Sequence, residues 1–388
     1  MINLKVIGCG AAGNKAVCQM VNENYINEKD ILLINSNTGD IPEKFLSNSL
    51  IYGENSFGGA GKNRSIGKKL LLEDLQNKVS FTERLDKFCT DDTDVICVVA
   101  SSEGGSGSSA LPIMSKYIHE VYGKYVIAVI FFGFEEDVRG LENSINICKE
   151  LPDDIGVIGI SNKKFFDEAN GNKVMAERNA NEYFIEAITV LAGKTIRPAE
   201  QNIDKTDLMK IVTTPGYITV TMCKIDTTVK NKSRFNDAIK LAIDDAKYLD
   251  SADRKKCSRM GIIYDLKDPQ NSNHVDFGAE VLKDAFGLPY ELFTHIQKKK
   301  EADEYVSWII TGQELPVEEL TRMYAKYKQN SSKLDKDKNA FFESIGELNL
   351  SENNNAFEND LESKTGSKNI KEGRSSFFSK LKGEDSLY

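Results

Sequence analysis

A buried strand that runs into a loop of glycines and serines limits most strongly how this chain can fold. Residues 95–100 form an apolar run, and residues 101–109 read Ser-Ser-Glu-Gly-Gly-Ser-Gly-Ser-Ser, with Pro112 shortly after. Glycine lacks a Cβ and accepts positive φ, so such a loop can bring consecutive backbone N–H groups against an anion. Pro112 suits the first turn of a helix. The pattern predicts a phosphate-binding loop, with a flexible glycine turn as the alternative.

A second glycine loop follows the predicted first strand, residues 4–7. Residues 8–13 read Gly-Cys-Gly-Ala-Ala-Gly, a literal G-x-G-x-x-G, and a helix is predicted from about 14 to 24. This fingerprint is typical of dinucleotide-binding folds. The next strand, 31–34, ends in Asn-Ser-Asn instead of the acidic residue that holds a ribose, which argues against NAD. Two glycine loops after two buried strands therefore predict one ligand with several phosphates.

Composition and charge exclude several classes of protein. The 388 residues carry a net charge of −9, which argues against a protein that binds nucleic acid without sequence preference. The 7 cysteines are scattered and form no Cys-x-x-Cys, as in the reduced core of a cytoplasmic protein. The 3 histidines lie far apart, so we expect neither a His-based zinc site nor a His general base. We expect no signal peptide and no transmembrane segment.

The chain divides into regions of different pattern. Predicted strands and helices alternate over residues 1–174, which indicates an α/β fold with a doubly wound, mostly parallel sheet. A central helix and loop follow at 175–207, and a second, smaller α/β domain is predicted at 208–315. A C-terminal helix at 316–328 precedes a polar tail, 329–388, which we expect to be disordered because it holds few large apolar side chains.

The tail closes on a short apolar patch. Residues 375–382 read Ser-Ser-Phe-Phe-Ser-Lys-Leu-Lys, after a long polar spacer. The patch is either a peptide that docks on a partner or membrane surface, or a tail with chance phenylalanines.

Further motifs lie between and beyond the two glycine loops. Residues 58–63 read Gly-Gly-Ala-Gly-Lys-Asn, residues 134–139 read Phe-Glu-Glu-Asp-Val-Arg, and residues 202–207 read Asn-Ile-Asp-Lys-Thr-Asp. In this order, the motifs resemble the FtsZ/tubulin superfamily of polymerising GTPases, on its prokaryotic branch with FtsZ and TubZ. The similarity covers roughly residues 3–315, and the chain is similar to a divergent TubZ-like or FtsZ-like protein.

The resemblance implies that residues 1–174 bind GTP or GDP with Mg²⁺. The residues that it implies for the phosphates are Gly8, Gly10, Ala11, Ala12, Asn14, Ala60, Gly61, Lys62, Asn63, Gly104, Gly105, Ser106, Gly107 and Ser108. Glu135 and Arg139 match positions that reach the ribose and phosphates, and Asn162 and Asn181 match positions that read guanine. The aromatic residue that usually stacks on the base is here Glu177, unless Asn179 with Met175 is the true register.

The acidic motif at 202–207 has two interpretations. As chemistry alone, carboxylates at Asp204 and Asp207 can orient a water or hold a cation. The alternative is a helix N-cap formed by Asp204 or Asn202. The resemblance implies the catalytic role, with Asn202 supporting the loop, and implies that the loop completes the pocket of the next subunit. A head-to-tail contact of this kind builds filaments.

Several functions are consistent with these motifs. The first is an assembly-dependent GTPase whose cytoskeletal filaments segregate or position plasmid or phage DNA. The alternatives are an FtsZ-like division-ring GTPase, a GTP-binding regulator that does not polymerise and, remotely, an NAD-dependent oxidoreductase. The implied partners are further copies of the chain and a DNA-bound or membrane-bound adaptor that meets the C-terminal tail. A solvated spacer is the alternative for the tail, and we expect no direct sequence-specific DNA binding.

Overall fold

A single sheet of ten strands organises the chain. The computed structural model describes residues 1–53, 59–199, 202–225, 232–250, 253–269, 275–298 and 303–345, together with Arg374 and Phe377. The strand order is β3-β2-β1-β4-β5-β6-β7-β10-β8-β9. The α/β fold predicted from the sequence is confirmed.

The N-terminal half holds the first six strands and seven of the helices. The strands are β1 (Leu4–Cys9), β2 (Ile31–Asn35), β3 (Ser49–Ile51), β4 (Val95–Ser101), β5 (Tyr125–Phe132) and β6 (Gly156–Ser161). The helices are α1 (Gly10–Asn22), α2 (Arg64–Asn77), α3 (Val79–Phe88), α4 (Ser106–Tyr122), α5 (Val138–Lys149), α6 (Asn162–Glu168) and α7 (Lys173–Leu191). Short 3₁₀ turns occupy Glu28–Asp30, Thr38–Asp40 and Glu43–Asn48.

The remaining elements form the second half. The helices are α8 (Lys205–Val212), α9 (Lys232–Asp244), α10 (Val275–Phe286) and α11 (Val317–Ile345). The strands are β7 (Gly216–Ile225), β8 (Arg259–Leu266), β9 (Glu291–Lys298) and β10 (Glu304–Gln313). Strand β7 runs parallel to β6, whereas β10 is antiparallel to both β7 and β8.

The order of the first six strands creates a crevice. All six are parallel, and β1 lies between β2 and β4. The chain therefore winds outward from β1 in one direction and from β4 in the other, so the helices that follow these two strands lie on opposite faces. Open α/β sheets bind ligands at the carboxyl ends of the strands where this reversal occurs.

Helices cover both faces of this part of the sheet, which explains the uninterrupted apolar strands. All residues of β1 and β2 are buried, and so is β4 up to its last residue. One core joins the sheet to α1 and α7, and a second joins it to α2, α3, α4 and α5. A parallel sheet buried on both faces needs apolar residues at consecutive positions rather than alternation. A third core lies in the second half, around the fully buried Trp308.

The structure departs from the sequence-based prediction at several elements. The sequence-based prediction does not include strands β3 and β9 or helices α3 and α6. Strand β3 has only 3 residues and α6 only 7, whereas α3 buries Phe81, Leu85 and Phe88 at helical spacing, a pattern that the prediction missed. Helix α11 continues beyond the predicted end at 328 to Ile345. The sequence of this extension is rich in lysine and other polar residues, so it carries no amphipathic signal. Most of the predicted tail, including all of the apolar patch except Phe377, lies outside the described residues.

Candidate nucleotide-binding site

The two glycine loops meet at the crevice between β1 and β4. Gly10 has a φ of 71°, and a Cβ placed on it would lie 2.6 Å from the backbone nitrogen of Gly107. A Cβ on Gly107 would in turn lie 2.6 Å from the carbonyl oxygen of Cys9. Real Cβ contacts are not this short, so both positions require glycine. The two loops therefore pack backbone against backbone, as the double motif in the sequence predicts.

A third loop, residues 59–63, packs against the second glycine loop. A Cβ on Gly105 would lie 2.9 Å from the backbone nitrogen of Lys62. Asn63 caps α2, since its Oδ1 accepts the N–H of Ser65 at 3.1 Å. Asn143, a buried residue of α5, is not among the predicted site residues. Its Nδ2 donates to the carbonyl oxygen of Lys62 at 3.0 Å and to that of Glu103 at 3.0 Å, and it thereby ties these two loops together.

A cavity of about 340 Å³ opens beside the two loops. Four of the residues expected to bind nucleotide line it, namely Ala11, Ala12, Asn162 and Asn181. The other lining residues are Lys15, Ser101, Glu103, Phe131, Gly133, Phe134 and Glu177. The residues expected for the guanine base and for the first phosphate loop thus share one cavity, although they are far apart in sequence.

Asn162 carries an unpaired polar atom. Its side chain is 9% exposed, and its Oδ1 is buried without a hydrogen-bond partner among the described residues. Leaving a buried acceptor unsatisfied costs about 1–3 kcal/mol. Asn181 is also buried, and its Nδ2 donates to Oε1 of Gln19 at 3.1 Å. The Oδ1 of Asn162 has no solvent contact in this conformation, so it can accept from a ligand with N–H donors, such as the Watson–Crick edge of guanine, only after the side chain turns toward the cavity.

Charged side chains surround the cavity. Burial raises the pKa of Glu103, and its Oε1 accepts the backbone N–H of Glu135 at 2.8 Å. Glu177 forms an ion pair with Lys15 at 2.8 Å, which joins α7 to α1. Glu177 occupies the position at which the family usually has an aromatic residue, whereas Phe134, which is partly exposed, supplies an aromatic ring to the lining.

The side chains of Glu135 and Arg139 do not line this cavity, although the backbone N–H of Glu135 contacts Glu103, which does. Glu135 has a φ of 57°, and its carboxylate receives hydrogen bonds from Arg322 at 2.5 and 2.9 Å and from Lys326 at 3.1 Å. Burial opposes ionisation of Glu135, but the hydrogen bonds from these two cations outweigh it and lower its pKa. Arg139 is exposed and pairs with Glu142 at 2.8 Å. Glu135 and Arg139 line a separate cleft of about 580 Å³ against α11.

Other predicted residues have structural partners. Asn14 is fully buried, and its Nδ2 donates to the carbonyl oxygen of Ile34 at 3.4 Å. The Ser108 hydroxyl donates to the carbonyl oxygen of Gly104. Lys62 pairs with Asp137 at 2.5 Å. These side chains shape the loops, and among them only Lys62 is substantially exposed.

The acidic motif forms a capping box at the start of α8. The Asp204 carboxylate accepts the N–H of Asp207 at 2.8 Å, and the Asp207 carboxylate accepts the N–H of Asp204 at 3.3 Å. Oδ1 of Asn202 accepts the N–H of Ala199 at 2.8 Å. Asn202 and Asp204 are exposed. The structure thus shows the N-cap interpretation, and it leaves the carboxylate of Asp204 open to solvent.

The acidic motif lies at the opposite end of the sheet from the cavity. Lys205, next to Asp204, forms an ion pair at 2.6 Å with Asp94, which directly precedes β4. The glycine loop of the cavity follows the other end of the same strand. A strand of this length spans about 20 Å, so the acidic turn cannot reach the cavity of its own chain.

A buried polar network holds this turn in place. His295, on β9, is fully buried, and its Nδ1 accepts the N–H of Ile203 at 3.2 Å. Its Nε2 is 2.9 Å from Oε1 of Gln297, which also accepts the N–H of Arg197 at 2.7 Å. In this arrangement Nδ1 accepts a hydrogen bond from the backbone and Nε2 faces the amide oxygen of Gln297. No local pattern indicates this network, because its partners come together only in the fold.

The fold and the cavity are those typical of nucleotide-binding α/β proteins. The strands follow the doubly wound order, with glycine loops at the reversal point and two amide side chains, Asn162 and Asn181, in the adjacent cavity.

Comparison with known proteins finds a family match over part of the chain. Residues 3–170 match the Tubulin/FtsZ family, GTPase domain. The chain is 28% identical over 237 residues to the cell division protein FtsZ of Mycoplasmopsis pulmonis, covering 59% of this chain and 53% of that protein. It is 26% identical over 241 residues to the tubulin-like protein CetZ of Pyrococcus furiosus, covering 59% and 63%. The chain spans a little more than half the length of these curated relatives.

Solved structures share the fold at low sequence identity. A GTPyS-form protofilament of Bacillus thuringiensis serovar israelensis TubZ aligns with a TM-score of 0.71 at 15% identity, covering 87% of this chain and 94% of that one. CetZ1 from Haloferax volcanii, a GDP-bound monomer, aligns with a TM-score of 0.67 at 17% identity, covering 84% and 100%. The resemblance stated from the sequence is confirmed: residues 3–170 match the GTPase domain of the Tubulin/FtsZ family, and FtsZ, CetZ and TubZ proteins are among those similar to the chain.

Membrane spans and metal clusters are absent from the part of the chain that the structure describes. There, no helix is long and apolar enough to cross a membrane. In the same ranges, no group of three or more His, Cys, Asp or Glu side chains is arranged to hold a metal ion. The seven cysteines all lie in described ranges and are free thiols.

Proposed function

We propose that the protein binds GTP in the cavity beside the glycine loops and hydrolyses it in head-to-tail filaments. The observation that carries this proposal is the position of the acidic turn. Asp204 is exposed at the end of the sheet opposite the cavity, so its carboxylate can act only on a nucleotide held by another copy. The family match covers residues 3–170, the GTPase domain, and we extend GTP hydrolysis to the whole chain.

The cavity supports binding of a guanine nucleotide. The backbone N–H groups of the two glycine loops would receive the phosphates, in the way that glycine-rich loops before helices bind anions. Once its side chain turns toward the cavity, the free Oδ1 of Asn162 would accept from guanine, with Asn181 beside it. Mg²⁺ would accompany the nucleotide and neutralise phosphate charge, since it prefers oxygen ligands.

The ribose requires a different residue from the one that the motif implies. Because Arg322 and Lys326 engage the Glu135 carboxylate, it is not available to the nucleotide. Glu103 lines the cavity with a carboxylate that has a raised pKa. We assign to Glu103 the acceptor role toward the ribose hydroxyls.

Hydrolysis needs a water placed in line with the γ-phosphate. Asp204 and Asp207 would orient this water from the neighbouring subunit, with Asn202 holding the loop. The capping box does not oppose this role, because each carboxylate has a second oxygen and Asp204 is exposed. The cap instead fixes the direction of the carboxylates, and His295 fixes the backbone before them.

A contact that joins a cavity at one end of a molecule to a turn at the other is heterologous. Such contacts propagate into filaments instead of closing a dimer. The TubZ structure of similar fold is a protofilament, which supports head-to-tail assembly for this chain.

We propose DNA segregation as the cellular role, with an adaptor that binds the C-terminal tail, and a division ring as the alternative. The GTPase-domain match removes the support for an NAD-dependent oxidoreductase.

Phosphate release as a function of protein concentration tests the proposal. We expect specific activity to rise steeply above a threshold concentration, and GTP but not GDP to bring the protein into the pellet on centrifugation. Specific activity that is independent of concentration, with no sedimentable polymer, would overturn it.

A second experiment separates DNA segregation from a role in a division ring. Asp204→Asn is introduced into the gene on the DNA molecule that naturally carries it. Loss of that DNA molecule from dividing cells indicates segregation, and arrested division indicates a ring.

A further inference from the structure

Two residues near the C-terminus lie against the GTPase domain. Phe377 is 0% exposed and belongs to the core formed with α3 and α4. Arg374, three residues earlier, pairs with Asp86 of α3 at 2.6 Å. Both residues have helical backbone, and both side chains contact the same surface of α3 and α4. The sequence predicts a disordered tail in this region, and these two residues depart from that prediction.

The surface that receives them combines an aromatic and a charged site. The ring of Phe377 meets the ring of Tyr117 edge to face, with centroids 5.1 Å apart and planes at 90°. Tyr117 also meets Tyr122 at 6.0 Å. The Tyr122 hydroxyl donates to Asp86 at 2.7 Å.

Arg374 completes this arrangement. Its Nη2 lies 2.6 Å from the Asp86 carboxylate and 3.3 Å from the Tyr122 hydroxyl oxygen. One carboxylate thus receives two donors, one from α4 and one from the C-terminal segment. We call Asp86, Tyr117 and Tyr122 the tail socket.

We propose that the tail socket is an intramolecular docking site for the C-terminal segment that carries Arg374 and Phe377. The occupant is this segment of the same chain, and the recognised pattern is an arginine followed three residues later by a phenylalanine. This proposal concerns the end of the chain and stands independently of the proposed GTPase mechanism.

The length of the intervening chain favours docking within one molecule. Residues 346–373 connect α11 to the docked segment. Chain statistics for this number of residues give a root-mean-square end-to-end distance of about 30 Å, and a tether of this length sets an effective concentration on the order of millimolar. A segment on another copy reaches that concentration only in a crowded assembly. An adaptor that captures the tail must therefore first displace it from the socket.

Photo-crosslinking in the full-length chain tests where Phe377 lies. With Phe377→p-benzoylphenylalanine, irradiation is expected to link the tail to the peptide that contains Tyr117 and Tyr122. Equal mixing of ¹⁴N- and ¹⁵N-labelled protein separates the sources of the link, because docking within one chain gives only uniformly labelled products. Mixed-label products would overturn intramolecular docking in favour of a second copy, and links to other surfaces would overturn the socket.

Hydrogen exchange provides a second, independent readout. We expect Phe377→Ala to speed exchange of the C-terminal segment by roughly ten- to a hundredfold, the effect of losing one buried aromatic side chain. The control Tyr290→Ala removes an aromatic side chain that is 87% exposed and should leave exchange of the C-terminal segment unchanged. Arg374→Glu should also release the segment, and adding Asp86→Arg should restore part of the protection. Identical exchange of the segment in the Phe377 and Tyr290 variants would contradict the proposal.

Discussion

Asp204 has a structural role and a proposed chemical role, and two substitutions separate them. Asn is as good an N-cap as Asp, so Asp204→Asn keeps the cap and removes the charge. Asp204→Ala removes both. Because the Asp204 side chain accepts the N–H of Asp207 at 2.8 Å, we expect Ala to cost about 1 kcal/mol, which lowers the melting temperature by about 2 °C.

The proposed chemistry predicts a different pattern for turnover. Loss of a water-orienting carboxylate costs about 10²–10⁴-fold in rate, so both variants should release phosphate at least a hundredfold more slowly. Nucleotide affinity, measured by fluorescent GDP titration, should stay unchanged in both, since the turn lies far from its own cavity. Phosphate release and thermal unfolding are measured on the same preparations.

A matched cap elsewhere supplies the control. Oδ1 of Asn172 caps α7 by accepting the N–H of Met175 at 3.1 Å. Asn172→Ala should lower the melting temperature by a similar amount while turnover remains. Wild-type turnover in Asp204→Asn would refute the catalytic role and leave Asp204 as a cap alone.

Further predictions follow from the cavity and its surroundings. Glu103→Ala should weaken nucleotide binding by about tenfold, and Glu135→Ala should leave affinity unchanged in the same titration; the reverse order would contradict the ribose assignment. The pKa of Glu135 is lowered in the folded protein, so the ion pairs of Glu135 stabilise the packing of α11 at pH values above the unfolded pKa near 4.3. This stabilisation is lost as the pH falls below that value. The rate of proteolysis within α11, measured as a function of pH, should therefore rise on acidification. His295→Leu should reduce turnover with little change in nucleotide affinity, because it frees the backbone before the acidic turn. Gly107→Val should abolish nucleotide binding, since its Cβ would lie 2.6 Å from the Cys9 oxygen, and retained binding would show that the loops can separate.

The sequence predicted the features that depend on local pattern. Neighbouring residues determine where a glycine loop follows a buried strand and in what order strands and helices occur. The sheet and the crevice could therefore be inferred from the sequence. Asn162 and Asn181 could be identified only through the family resemblance, and the structure brings them into one cavity.

The features that the sequence did not predict depend on distant partners. Glu135 is engaged by Arg322, which lies 187 residues away, so the motif alone does not indicate this contact. His295 acts on a backbone N–H that is 92 residues away. Arg374 pairs with Asp86 across 288 residues. The sequence around Arg374 is polar, so its composition does not indicate this contact. In each case the spacing in the sequence carries no information about the pairing.

Mixing two inactive variants tests the shared site most directly. Asp204→Asn keeps an intact cavity with a defective turn, and Asn162→Leu keeps an intact turn with a defective cavity. In a filament that contains both in equal amounts, about one interface in four joins an intact cavity to an intact turn. With both variants found in the same pellet, we predict recovery of about a quarter of wild-type phosphate release, whereas a mixture as inactive as its components would contradict hydrolysis between subunits.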